Sequence, residues 1–124
     1  MRTYRDQALG ITERVEALMA EMTPAEKSAQ LLGIWAIALL DKQRNFAPDQ
    51  AGELLKHGVG QVSRLGANAL VPPPRVAALA NEIQRYFIEQ TRLGIPVMIH
   101  EESCAGILMR GATTFPQSIG QAAT

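Results

Sequence analysis

The strongest strand signal in the chain is PVMIH, residues 96–100, which is apolar on both of the faces that a strand presents. Such strands are typical of parallel sheets that helices cover on both sides. A helix is predicted before it, from about residue 74 to residue 92, because Val76, Ala80, Ile83 and Phe87 recur at helical spacing. A shorter strand is predicted over residues 59–65. The order strand, helix, strand predicts a βαβ unit with parallel strands.

The first half of the chain has mainly helical patterns. Helices are predicted over residues 11–22, 24–32 and 48–56, and Thr23-Pro24-Ala25-Glu26 is a capping box with proline at the first helical position. The apolar run LLGIWAIALL, residues 31–40, is interpreted as buried core, and its residues 33–40 fit either a strand or a buried helix. As a helix the run is only ~15 Å long, too short to span a bilayer.

These elements predict an incomplete α/β domain. About two parallel strands with flanking helices leave two open strand edges and uncovered apolar surface. We therefore expect residues 1–124 to be the first portion of a larger α/β domain, with leading helices over 11–56 and a βαβα segment over 57–124.

The composition excludes several classes of partner. Lys plus Arg and Asp plus Glu both number 12, so the formal net charge of zero gives no footprint for nucleic acid or for an anionic membrane. The single cysteine, Cys104, excludes an internal disulfide and a cysteine-based zinc site, and we expect it to be a small buried residue. The N-terminal residues do not resemble a secretory signal, so a cytoplasmic location is expected.

No cofactor is expected. The hexapeptide GVGQVS, residues 58–63, nearly matches the dinucleotide-binding fingerprint, but its glycines follow a helix and precede a strand, which is the reverse of the order that the fingerprint requires. A metal site at His100 and Glu102 is disfavoured because two ligands are too few.

The densest polar cluster is His100-Glu101-Glu102, at the carboxyl end of the strongest strand, where α/β folds place their ligands. Side chains alternate along a strand, so Glu102 and Glu101 are predicted to point to opposite faces. Arg64 ends the other strand and is predicted to lie at the same rim. The cluster is interpreted either as a ligand site or as a solvated loop start or internal ion pair, and Arg64 either as a ligand contact or as part of a structural ion pair. The residue pattern leaves these alternatives open.

Several colinear blocks resemble glycoside hydrolase family 3, and together they extend from about residue 11 to the end of the chain. The blocks are RVEAL with MTPAEK at 14–18 and 22–27, GVGQVSR at 58–64, NEIQR at 81–85, TRLGIP at 91–96, HEESCAG at 100–106, and GATTFPQ with IG at 111–117 and 119–120. This resemblance implies the N-terminal (β/α)₈ barrel domain of a β-glucosidase or β-xylosidase.

The family resemblance also implies a retaining mechanism, with an aspartate nucleophile and a carboxylic acid/base. It implies that Glu102 alone binds ring hydroxyls in the −1 sugar subsite. Glu101 and Arg64 are weaker candidates for substrate binding, on the ground of their predicted place at the rim. Both reacting carboxylates are expected beyond residue 124, so the chain alone is expected to be inactive, and a sugar is its expected partner in the complete enzyme. Many family members have His-Gly where this chain has Ala105-Gly106, so the preferred sugar is left open. The alternative is a small α/β interaction module without catalysis.

Overall fold

The architecture is α/β, with a parallel sheet of three strands that helices cover on one side. The computed structural model describes residues 4–123, so the first three residues and the last residue of the chain lie outside it. The helices and strands are α1 (Ile11–Glu21), α2 (Pro24–Ala29), β1 (Gly33–Trp35), a 3₁₀ helix (Ala36–Leu39), α3 (Pro48–Leu54), β2 (Gln61–Ser63), α4 (Leu65–Ala69), α5 (Pro73–Gln90), β3 (Met98–His100) and α6 (Ser118–Ala122).

The sheet contains one strand more than the sequence predicts. Its order is β1-β2-β3, and β1 comes from the segment that fitted either a strand or a buried helix. Both alternatives are partly correct, because the run is extended for three residues and then turns into the 3₁₀ helix. The predicted count of about two strands is therefore wrong. Strands this short carry too little alternation to be identified by pattern.

One face of the sheet packs on the hydrophobic core. Ile34, Val62 and Ile99 are aligned across the three strands, and they contact the cluster that contains Leu79, Phe87 and other buried residues of α5. The opposite face is open among residues 4–123. On this face Trp35 of β1 is 56% exposed and Met98 of β3 is 63% exposed. Because Met98 is exposed, the prediction that β3 is buried on both faces is wrong.

The run at residues 31–40 is core only in its second half. Ala36, Leu39 and Leu40 are buried, whereas Leu31 is 87% exposed. The prediction of a buried run is therefore only partly correct. No helix within residues 4–123 has the length and apolarity that crossing a bilayer requires.

The predicted capping box is present and joins distant parts of the chain. The Thr23 side chain accepts a hydrogen bond from the Glu26 N–H, and Glu26 Oε2 accepts one from the Thr23 N–H at 2.8 Å. Arg92, just beyond α5, donates to both Glu26 oxygens at 2.8 and 2.5 Å. The Arg92 guanidinium and the Thr23 N–H together lower the pKa of Glu26 from 4.5 to about 2.

Glycines allow the close approach between α2 and the start of β2. Gly58 has a φ of +81°, a backbone conformation that residues other than glycine rarely adopt. It follows α3, as the sequence predicts. A Cβ on Gly60 would lie 2.0 Å from the Gln30 carbonyl oxygen. These two glycines of GVGQVS therefore serve a helix end and a tight strand entry.

Candidate functional site

The carboxyl ends of the three parallel strands meet at one rim. Trp35, Ser63 and His100 are aligned in register at the last position of each strand. Because the strands are parallel, the residues that follow them also come together at this edge. Arg64 comes directly after β2, and Glu101 with Glu102 comes directly after β3. We refer to Trp35, Arg64 and Glu102 as the rim cluster.

Glu102 is an accessible carboxylate next to a cation. Its Oε2 lies 3.7 Å from Arg64 Nη1, and the Glu102 side chain is 50% exposed. That separation is within ion-pair distance but longer than a hydrogen bond. Among residues 4–123 no hydrogen bond to the Glu102 carboxylate is found, so its oxygens are available to accept hydrogen bonds from a ligand.

Arg64 is held over the indole ring of Trp35. Its Cζ lies 5.1 Å from the ring centroid, which is a cation–π distance. The Arg64 side chain is 26% exposed, and its Nε is buried and has no hydrogen-bond partner in the described part of the chain. The guanidinium therefore lies between an aromatic face and a carboxylate.

Glu101 is turned away from this cluster. Its Oε1 accepts a hydrogen bond from the Gly66 N–H at 2.5 Å, in the first turn of α4. Carboxylates at helix N-termini satisfy free N–H groups and interact favourably with the helix dipole. Glu101 thus has a structural partner, and the predicted divergence of the two glutamates is observed.

The family model described as "Glycosyl hydrolase family 3 N terminal domain" matches residues 23–124. The chain belongs to glycosyl hydrolase family 3. A protein of Formosa agariphila named "Putative beta-xylosidase" is 32% identical over 126 residues. That similarity covers 99% of this chain but 16% of the relative, so the chain spans about a sixth of the relative's length.

In this family 3 chain, the structure brings together two of the three residues singled out from the sequence. Arg64 and Glu102 are adjacent at the rim, as the parallel strands predict, whereas Glu101 faces α4. Sequence reasoning missed Trp35, because its segment fitted two kinds of element. One feature of the sequence could have drawn attention to Trp35, because it is the only tryptophan in the chain.

Within residues 4–123, no candidate metal site accompanies the rim cluster. His100 is exposed, and among residues 4–123 no group of three His, Cys, Asp or Glu side chains is arranged to hold a metal ion. Cys104 is exposed, so the expectation that it is a buried residue is wrong. It lies in the irregular segment after β3, where the chain leaves the core.

Proposed function

We propose that this family 3 chain is the N-terminal part of the barrel domain of a retaining β-glycosidase, and that Glu102 binds a sugar hydroxyl in its −1 subsite. The observation that carries this proposal is the position of Glu102. It is a half-exposed carboxylate at the carboxyl edge of a parallel sheet, where (β/α)₈ enzymes bind their substrates. Its oxygens accept hydrogen bonds, which is what binding of a hydroxyl requires.

The open face of the sheet supports the barrel as the complete fold. In a (β/α)₈ barrel one face of each strand packs on the outer helices and the other is filled by side chains from the remaining strands. Here the face bearing Val62 is packed, and the face bearing Met98 and Trp35 is exposed. The sequential strand order β1-β2-β3 also fits a barrel.

The substrate class we propose is β-xylosides or β-glucosides. The name of the Formosa agariphila relative supports the xyloside, and the family supports glycoside hydrolysis in general. A retaining glycosidase needs two carboxyl groups ~5–5.5 Å apart across the scissile bond. Glu101 is bound to the Gly66 N–H and Glu102 is assigned here to a sugar hydroxyl, so we propose that neither is a reacting group and that both reacting groups lie outside these 124 residues.

The test is kinetic and uses the complete protein that carries this segment. We expect Glu102→Ala to lower kcat/KM on aryl β-xylosides or β-glucosides by roughly a hundredfold, since hydrogen bonds to a ring hydroxyl strengthen in the transition state. Glu89→Gln, on the exposed surface of α5, is the matched control and should leave kcat/KM unchanged. An unchanged kcat/KM in Glu102→Ala would remove the subsite assignment. A complete protein with no activity on any aryl β-glycoside would favour the interaction module.

A further inference from the structure

The backbone of Arg64 is fixed in an unusual conformation. Its φ of 61° and ψ of 37° lie in the left-handed region, which is uncommon for residues other than glycine. Its N–H donates to the His100 carbonyl at 2.9 Å, and its own carbonyl accepts from the Asn68 N–H at 2.8 Å. These bonds to the end of β3 and to α4 hold the residue in place. Strained conformations of this kind are concentrated at functional sites.

The side chain of Arg64 connects the ends of the outer two strands. Trp35 is the last residue of β1 and Glu102 comes shortly after β3, and the guanidinium of Arg64 lies next to both side chains. The Nε atom is buried without a partner, so the ring and the carboxylate, not a hydrogen bond from Nε, determine where the guanidinium lies. A rigid planar cation stacks on an aromatic face in a way that a lysine ammonium does not reproduce.

We propose that Arg64 is a positioning residue, which holds the Glu102 carboxylate in the orientation that binds the sugar hydroxyl, with Trp35 acting as the platform for Arg64. This inference rests on the proposed function of Glu102. The ion pair of 3.7 Å attracts the carboxylate without using its acceptor sites. The carboxylate therefore remains free for the substrate while its average position is restricted.

The experiment compares Arg64→Met, Glu102→Gln and the double variant in the complete protein. The substrates are an aryl β-xyloside or β-glucoside and its monodeoxy analogues. We expect Arg64→Met to lower kcat/KM on the parent substrate by roughly ten- to a hundredfold, which is typical of a misplaced binding group. The loss should largely disappear on the deoxy analogue that lacks the hydroxyl bound by Glu102, and Arg64→Met should add little to Glu102→Gln.

Two further variants separate positioning from folding. Arg64→Lys keeps the charge but loses the planar stack, so we expect a partial loss on the parent substrate. Trp35→Leu leaves both charged groups in place and should reproduce the same hydroxyl-dependent loss at smaller size. A merely structural role would reduce activity on the parent and deoxy substrates equally.

The outcomes distinguish this inference from the function on which it rests. If Glu102→Gln is impaired while Arg64→Met matches the unmodified protein, the positioning role is overturned and the subsite stands. The positioning role is also overturned if Arg64→Met lowers kcat/KM by the same factor in the unmodified protein and in the Glu102→Gln variant. If the unmodified protein hydrolyses none of the aryl glycosides, the proposed function fails and the positioning role fails with it.

Discussion

Glu101 and Glu102 are adjacent in the chain, but their carboxylates face different partners: Glu101 Oε1 accepts a hydrogen bond from the Gly66 N–H at 2.5 Å, and Glu102 Oε2 lies 3.7 Å from Arg64 Nη1. Both residues follow the last position of β3, so they lie at the rim without being part of the strand. One glutamate thereby fixes α4 against the sheet, and the other remains accessible at the rim.

This division of roles predicts that two neighbouring substitutions differ in their effect on stability. Glu101→Ala should lower the free energy of unfolding by about 1 kcal/mol, because the Gly66 N–H loses its hydrogen-bond acceptor. Glu102→Ala should change that free energy by less than about 0.5 kcal/mol, because the side chain is half exposed and its ion pair is long. Urea unfolding of both variants measures the difference. Equal stability of the two variants would contradict the division.

Much of the fold follows from local sequence signals. The capping box at Thr23 and Glu26 identifies the start of α2, and the helical spacing through Ile83 and Phe87 identifies α5. The proximity of Arg64 and Glu102 could also be predicted, because parallel strands bring their carboxyl ends to one edge.

The remaining features depend on contacts that a local pattern does not contain. The strand β1 has three residues and passes directly into a 3₁₀ helix, so no alternation reveals it or places Trp35 at the rim. The helix α4 has five residues and starts from the left-handed Arg64. Because α4 could not be predicted, neither could the contact of Glu101 with Gly66.

The contact between Arg64 and Trp35 can be observed by fluorescence in the chain itself. Trp35 is the only tryptophan, so its emission reports on the rim cluster alone. We expect Arg64→Met to shift the emission and to raise the acrylamide quenching constant, since the guanidinium covers part of the ring. The cost in stability should be only about 0.5–1 kcal/mol, as for other partly exposed cation–π pairs.

The control for the fluorescence experiment is Arg75→Met. Arg75 pairs with Glu82 at 2.5 Å and donates to Asn45 Oδ1 at 3.1 Å, so its removal tests the effect of losing a different arginine. Emission and quenching should then match those of the unmodified chain. If Arg64→Met also leaves both quantities unchanged, the guanidinium does not lie on the ring in solution.

The ion pair of Glu26 and Arg92 predicts a dependence of stability on pH. The pKa of Glu26 is about 2 in the folded chain and 4.5 ordinarily, so the folded state favours the ionised form. The stabilisation is complete above pH 4.5 and is lost as the pH falls through about 2. We expect Glu26→Gln to lower the free energy of unfolding by about 1–3 kcal/mol at pH 7, and by much less at pH 2.

Urea unfolding at a series of pH values tests this dependence, with Glu89→Gln as an exposed control on α5. The difference between Glu26→Gln and the unmodified chain should shrink between pH 4.5 and pH 2. A difference of the same size at both ends of that range would contradict a stabilisation that depends on the ionised Glu26 carboxylate.

The tight entry into β2 predicts that Gly60 cannot be replaced by alanine. The Gly60 N–H donates to the carbonyls of Ala29 and Leu32, both at 3.1 Å, and its carbonyl accepts from the Met98 N–H at 3.0 Å. These bonds hold the segment between α2 and β3, and an added Cβ would lie 2.0 Å from the Gln30 carbonyl oxygen and 2.8 Å from its carbon. Because those atoms are backbone, the chain must separate to relieve the clash. We expect Gly60→Ala to lower the free energy of unfolding by about 3 kcal/mol or more.

Gly120→Ala is the matched control, because within residues 4–123 no heavy atom outside the local helix backbone and the two chain neighbours lies within 4 Å of the position that its Cβ would take, and the residue lies within α6. Alanine is favoured over glycine in a helix by up to about 1 kcal/mol, so this variant should be as stable as the unmodified chain or slightly more so. Thermal and urea unfolding followed by circular dichroism compare the two. Equal melting temperatures for Gly60→Ala and Gly120→Ala would contradict the close contact between Gly60, just before β2, and Gln30, at the end of α2.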